Sequence, residues 1–209
     1  TRIMRNETQI LTSLETKILQ LLRRWGRGCV FSNSDFFSYG PSSSVGRCLH
    51  SLKLKGVIRP LLRGLYDYPK FSSLLQEELA PDLHQVATAL ARKHKWHIQP
   101  SGNAALNYWG LSTQVPTRIL YFSDGPSRKF IIEGRTLEFK HISGKESHLG
   151  NSDCELFIQA IKELGEAAIT DDYKSQVLAI LTPQLKSQVE KALPLLTEKV
   201  RTVLRTLLQ

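Results

Sequence analysis

Basic and hydroxyl side chains recur at helical spacing in the stretch from residue 43 to residue 53. They are Ser43, Ser44, Arg47, His50 and Lys53. Hydroxyl and ammonium groups bind phosphate oxygens, whereas the planar guanidinium of an arginine matches the two acceptors of guanine. The spacing therefore predicts a helix face that contacts a nucleic acid, with Arg47 as its main contact to a base.

A second cation lies at a predicted turn. Arg63 and Gly64 separate two short apolar runs, residues 57–62 and 65–68, and Pro69 follows. This pattern is typical of a two-stranded hairpin. We expect Arg63 at its tip to reach the minor groove or the phosphate backbone of a duplex.

An alternative chemistry involves Asp124, Glu138 and Lys140. Alternation along a strand places Glu138 and Lys140 on one sheet face, as in the D...ExK site of a nuclease. In such a site a carboxylate pair holds Mg²⁺ and the lysine supports the attacking water. The triplet is common by chance, and Asp124-Gly125-Pro126 is already explained as a turn, so a nuclease is the alternative hypothesis.

Other reactive side chains lack the spacing that chemistry requires. The histidines considered for a metal site are His84, His94, His97, His141 and His148. No HExxH, CxxC or GxSxG motif accompanies them, and the three cysteines (Cys29, Cys48 and Cys154) favour buried thiols. We predict no catalytic residue, cofactor or metal. No apolar run spans a bilayer and the start has no signal-peptide core, which favours a cytoplasmic protein.

The elements that position Arg47 and Arg63 follow in a recognisable order. The sequence predicts a helix at 12–25 opened by a Thr12/Glu15 capping box, an extended stretch at 29–31 and a brief helix after residues 32–35. A helix capped by the serines at 42–44 and the hairpin come next. This is the order of a winged helix-turn-helix, whose second helix of the pair enters the major groove.

Charge is concentrated in the same part of the chain. Residues 1–70 contain twelve lysines and arginines against four acidic residues, so they hold a formal charge of +8 out of +9 for the whole chain. A basic module joined to a nearly neutral domain is the pattern expected of a protein that binds a polyanion.

The sequence after residue 70 predicts a linker at 71–81, followed by a domain of mixed helices and strands. We expect helices at 82–95 and 100–109, the latter opened by Ser101 or Asn103, then three antiparallel strands, then helices from residue 152 with breaks at Pro183 and Pro194. The apolar tail must pack on its own domain or on a partner. The predicted class is α+β, with a winged helix-turn-helix at 1–72 and a mixed domain at 73–209.

One segment resembles a known family. The stretches PSGNAALN (100–107), GLSTQVP (110–116) and YFSDGPSRK (121–129), with RGLY (63–66) before a proline, resemble the AbiEi antitoxins of type IV toxin–antitoxin systems. The resemblance implies that the winged helix represses the antitoxin's own promoter. It also implies that the second domain counteracts a nucleotidyltransferase-like toxin encoded beside it.

Three hypotheses follow. The first is a DNA-binding autorepressor and antitoxin that is not an enzyme, bound to double-stranded DNA as a monomer or homodimer. The second is the metal-dependent nuclease, targeted to DNA by the winged helix. The third keeps the winged helix as a protein-binding module, against which the concentrated positive charge argues.

Overall fold

The computed structural model describes residues 2–112, 116–142 and 152–208. The chain divides into two compact units, Thr1–Trp96 and His97–Gln209. Helices and small sheets occur in both units, so the predicted α+β class is confirmed.

The first unit contains three α-helices, one 3₁₀ helix and five short strands within the described residues. They are α1 (Arg2–Trp25), β1 (Val30–Ser32), the 3₁₀ helix Asn33–Phe36, α2 (Ser42–Leu54), β2 (Arg59–Leu62), β3 (Leu65–Asp67), β4 (Phe71–Ser72), β5 (Glu77–Glu78) and α3 (Leu83–His94). The strands β1, β3 and β2 form an antiparallel sheet in that order. Helix α1, the 3₁₀ helix, α2 and this sheet follow one another in the order predicted for a winged helix.

Apolar spacing explains how α2 is held. Val45, Cys48, Leu49 and Leu52 recur at helical spacing and are buried, which confirms the predicted inward face. They join a core built from α1, β1 and the 3₁₀ helix, whose main side chains are Leu14, Ile18, Leu22, Phe31 and Phe36. The opposite face of α2 is therefore directed away from this core.

Two predicted helix caps are wrong. Helix α1 begins at Arg2, so Thr12 lies inside it and cannot cap it, and the Glu15 carboxylate instead forms an ion pair with Lys55. Helix α2 follows Pro41 directly, and no side chain caps its first turn. Proline fixes φ, which here is −57°, so the chain enters α2 without a serine cap.

The segment predicted as a linker is partly ordered, and the unit boundary differs from the predicted 72/73. Strands β4 and β5 form a hairpin within residues 71–81. Helix α3 belongs to the first unit because Arg92 donates to Val30 O (3.2 Å) and to Asp35. The division at Trp96 and His97 follows from these contacts.

The second unit combines a sheet with helices. Its elements are β6 (Ile98–Pro100), α4 (Gly102–Tyr108), β7 (Arg118–Ser123), β8 (Arg128–Ile132), β9 (Arg135–His141), α5 (Asp153–Leu164), α6 (Asp171–Ile180), α7 (Pro183–Ala192) and α8 (Glu198–Leu208), with 3₁₀ helices at Gly165–Ile169 and Leu193–Leu195. The three predicted strands are present and β6 adds a fourth.

The strand order corrects the predicted antiparallel arrangement in one pair. The order is β6-β7-β9-β8, with β7 and β9 parallel and the other two pairs antiparallel. The loop between β7 and β8 crosses the end of β9, where Ser127 Oγ accepts a hydrogen bond from His141 N (2.9 Å). Because the loop crosses there, β9 lies between β7 and β8 rather than at the sheet edge.

The apolar C-terminal helices pack on their own unit. Leu185, Val189, Val203, Leu204 and Leu207 are buried in one core with α5. Pro183 opens α7 and Pro194 lies in the 3₁₀ helix before α8, which confirms both predicted breaks. Within the described ranges, every helix is too short or too polar to cross a membrane.

Candidate nucleic-acid interface

The outward face of α2 displays the residues that the sequence singled out. Ser43, Arg47, His50 and Lys53 are exposed and Ser44 is half-buried. Because the opposite face is fixed in the core, these side chains share one side of a helix about 20 Å long. An α-helix with this exposed face fits a major groove about 12 Å wide.

Three side chains with nitrogen donors lie on this face. The side chains of Arg47, His50 and Lys53 have no hydrogen bond or ion pair with any residue that the structure describes. Some other cations of the unit are paired: Lys55 with Glu15, Arg59 with Asp67 and Arg92 with Asp35, whereas Lys17, Arg23 and Arg24 are exposed on α1. The face therefore offers free donors to an anionic ligand.

Arg63 lies exposed at the tip of the β2–β3 hairpin, as predicted. The turn is possible because Gly64 adopts φ +69°, a left-handed conformation that side chains disfavour. At the hairpin base, Arg59 donates two hydrogen bonds to the buried Asp67, Nε–Oδ1 at 3.1 Å and Nη2–Oδ2 at 2.7 Å. This bidentate pair joins β2 to β3 and holds the tip at a fixed distance from the base.

Helix α3 supports both parts of the candidate interface. Arg92 binds Asp35 beside the 3₁₀ helix, with Nε–Oδ1 at 2.6 Å and Nη2–Oδ2 at 3.0 Å. Lys93 Nζ donates to the carbonyl oxygen of Arg63 at the hairpin tip (2.9 Å). Neighbouring residues of α3 thus bind the 3₁₀ helix and the β2–β3 hairpin, which is the wing of the winged helix. The sequence did not predict this supporting role of α3.

The charge state of Asp35 follows from these contacts. Burial raises the pKa of this carboxyl, but the hydrogen bonds and charge of Arg92 and the hydrogen bond from Ser32 N outweigh it, so the pKa is lowered. Asp35 is therefore ionised at neutral pH and fully able to hold Arg92.

Two residues of the α2 face were missed by the sequence analysis. Leu54 is 73% exposed and lies four residues after His50 and seven after Arg47, so helical spacing adds it to the face. Gly46 lies between Ser43 and His50 in the same row. An apolar side chain among polar ones can contact a thymine methyl group, and the spacing alone identifies both residues.

The alternative site is not assembled. Asp124 binds His97, with Oδ1 2.8 Å from the backbone nitrogen and Oδ2 2.8 Å from Nδ1. Glu138 instead pairs with Arg118 (2.5 Å) and lies 3.8 Å from Lys129. In the β7–β9 register Glu138 is opposite Leu120, three residues before the end of β7. At about 3.3 Å per residue, the backbone positions of Asp124 and Glu138 are about 13 Å apart along the sheet, and each carboxylate binds a different basic partner.

No metal centre emerges from the remaining histidines and cysteines. Within the three described ranges, no three His, Cys, Asp or Glu side chains are grouped as metal ligands. His94 stacks on Trp96 (4.6 Å between centroids), and His148 lies outside the described residues.

The cysteines are free thiols in the structure. Cys48 is buried as predicted, whereas Cys29 and Cys154 are only half-buried. Burial and the negative charge of Asp67 raise the pKa of Cys29 to about 11, so it is a thiol rather than a thiolate at neutral pH.

The segment that resembles AbiEi antitoxins begins with a capped helix. Ser101 Oγ accepts a hydrogen bond from Ala104 N (3.3 Å) at the start of α4, as predicted. A Cβ at Gly102 would collide with the side chain of Glu163, so the first turn of α4 fits closely against this carboxylate of α5. Residues 113–115 of the resembling segment lie outside the described residues.

These features define an α+β protein with a winged-helix arrangement in its first unit and an exposed basic face on α2. The chain belongs to a family described as a family of unknown function (DUF6088), whose model matches residues 17–190. No curated protein matches the chain. The resemblance to AbiEi antitoxins stays a prediction.

Proposed function

We propose that this protein is a DNA-binding transcriptional regulator that reads duplex DNA with α2 and the β2–β3 wing. The observation that carries the proposal is that Arg47, His50 and Lys53 lie exposed on one face of α2 while the opposite face of the same helix is buried in the core. Hydrogen-bond donors on a helix that fits the major groove can bind both the phosphates and the base edges of duplex DNA.

The distribution of charge supports the same proposal. Extending the first unit to residue 96 adds three cations (Arg92, Lys93 and Lys95) and three acids (Glu77, Glu78 and Asp82), so the unit keeps its formal +8. Each phosphate contact releases condensed counterions, and log K falls with log salt by about 0.9 per contact. We therefore expect affinity to depend steeply on salt.

The antitoxin role extends this proposal to the second unit. It rests on the resemblance of residues 100–107 and 121–129 to AbiEi antitoxins, which implies repression of the protein's own promoter in the cytoplasm and a nucleotidyltransferase-like toxin as its counterpart. The test is to express the neighbouring gene with and without this protein. Growth arrest that this protein relieves supports the role, and a harmless neighbour contradicts it.

DNA binding is tested by fluorescence anisotropy with a duplex from the region upstream of the gene. Replacing Arg47 and Arg63 by alanine removes a base contact and a wing contact. Each loss is expected to cost about 1–3 kcal/mol of binding free energy, and the salt dependence should become shallower.

The matched control removes the same charge elsewhere. Lys174 and Lys191 are exposed on α6 and α7, so the Lys174→Ala/Lys191→Ala protein has the same net charge as the arginine double variant. It should bind almost as the wild type does. Equal weakening in both double variants would show that net charge alone, and not the α2 face, governs binding.

A further inference from the structure

Gly46 occupies an unusual position for a glycine. It is half-buried in the interior of α2 and lies in the same helical row as the exposed residues Ser43, His50 and Lys53. Glycine weakens a helix interior relative to alanine, because the unfolded chain loses more conformational freedom and no side chain covers the backbone. A glycine here requires a compensating reason.

The fold itself does not supply that reason. Gly46 has helical backbone angles without a positive φ, so alanine would adopt the same conformation. A Cβ built on Gly46 meets no atom within 4 Å among the described residues, so no neighbour of α2 excludes it. By contrast, the Cβ of an alanine at Gly102 would collide with Glu163. At position 46 alanine should therefore be better than glycine for the free protein.

We propose that Gly46 is the point of closest approach between α2 and the bound duplex, an inference that rests on the proposed function. Without a Cβ, the helix backbone can lie against the groove wall, as glycine permits wherever a ligand approaches the main chain. When the α2 backbone lies closer to the DNA, the side chains of Arg47 and His50 on the same face reach further into the groove. Gly46 is thus a positioning residue for base contacts.

The inference predicts opposite effects on folding and on binding, which a purely structural role would not produce. In the full chain, Gly46→Ala should raise the melting temperature by about 2–4 °C, because alanine favours the helix. The same variant should weaken duplex binding by roughly 5- to 150-fold, the cost of overpacking a close contact. Gly46→Leu should weaken it further.

The control is Gln188→Leu, which places the same leucine side chain as Gly46→Leu on an exposed position of α7 and should leave binding unchanged. A lower melting temperature for Gly46→Ala would overturn the inference, since it would reveal a reason within the fold. Unchanged affinity in Gly46→Ala, when Arg47→Ala binds weakly, would overturn the inference and leave DNA binding intact. If the wild type itself does not bind the duplex, the proposed function fails.

Discussion

Individual side chains in the first unit fall into two groups according to whether their charge is used inside the fold. Arg59 is half-buried, donates to the buried Asp67 and also reaches Leu79 O (2.9 Å), so its removal would leave a buried carboxylate unpaired. Arg47 and Arg63 have no such contacts for their side chains within the described ranges. Substituting Arg59 is therefore a test of stability, and substituting Arg47 or Arg63 is a test of binding.

Gly102 offers a residue-scale prediction about the second unit. Gly102→Ala places a Cβ 2.9 Å from Glu163 Cβ, which is not the free end of a flexible side chain. We expect the free energy of unfolding to fall by about 1–3 kcal/mol, as in other overpacked cores. Urea denaturation measures this. Asn103→Ala, at the exposed next position, should change stability by less than about 0.5 kcal/mol. Equal stability of the two variants would contradict the close packing.

Single residues could be predicted where spacing determines their environment. The inward and outward faces of α2 follow from helical periodicity, and Ser101 caps α4 as its sequence position indicates. The partners of Asp124 and Glu138 could not be predicted, because strand register depends on the order β7-β9-β8 and not on the ExK pattern. The clash at Gly102 likewise depends on packing between distant segments.

At the scale of elements, α3 supports the 3₁₀ helix Asn33–Phe36 and the β2–β3 hairpin, which flank α2. Its last turn binds the 3₁₀ helix through Arg92 and Asp35 and binds the wing tip through Lys93. Asp82 caps the start of α3 by accepting a hydrogen bond from His84 N (2.9 Å). An element that the sequence assigned to the second domain therefore completes the first.

The Arg92–Asp35 pair predicts a pH dependence of stability. Because the pKa of Asp35 is lowered by folding, its contribution is complete above the unfolded value of about 3.9 and is lost as the pH falls through the lower folded value. Near pH 7, Asp35→Asn should lower the free energy of unfolding by about 1–3 kcal/mol. The difference between wild type and variant should shrink below about pH 4.

Urea denaturation at several pH values measures this difference, with Glu190→Gln as a control on the exposed side of α7. The control should match the wild type throughout. A gap between wild type and Asp35→Asn that is the same at pH 3 and pH 7 would mean that the carboxylate charge does not hold α3 in place.

The elements themselves were largely predictable, and their arrangement was less so. Apolar periodicity and turn residues identified α2, the wing and the three longer strands. The parallel pairing of β7 with β9 was not predictable, because a short loop normally joins antiparallel neighbours. Here the loop crosses β9, where His141 Nδ1 lies 2.9 Å from Gly125 O. Such long-range contacts leave no local signal in the sequence.

At the scale of the whole chain, each unit has its own core and its own charge. The first unit holds a formal +8 of the total +9, and the second buries the apolar faces of α5, α7 and α8. The charge asymmetry is a property of the sequence itself. The predicted boundary lay at 72/73 because the polar segment 71–81 is typical of a linker, and composition does not reveal the contacts of Arg92 and Lys93.

The boundary predicts how fragments behave. A fragment of residues 1–96 keeps α3 and should unfold in one cooperative transition, whereas a fragment of residues 1–72 loses the partners of Asp35 and of the Arg63 carbonyl. We expect the shorter fragment to be less stable by several kcal/mol, since it also exposes apolar residues of β1 that α3 covers. Circular dichroism melts compare them. Equal melting temperatures would contradict the assignment of α3 to the first unit.

The central claim is that the outward face of α2, together with the wing tip, contacts duplex DNA. Its most direct test is NMR: the amide resonances of the full chain are followed while a duplex from upstream of the gene is added. We predict that the largest shifts occur from Ser43 to Lys53 and at Arg63 and Gly64. Shifts confined to other parts of the chain, with these amides unchanged at saturation, would contradict the claim.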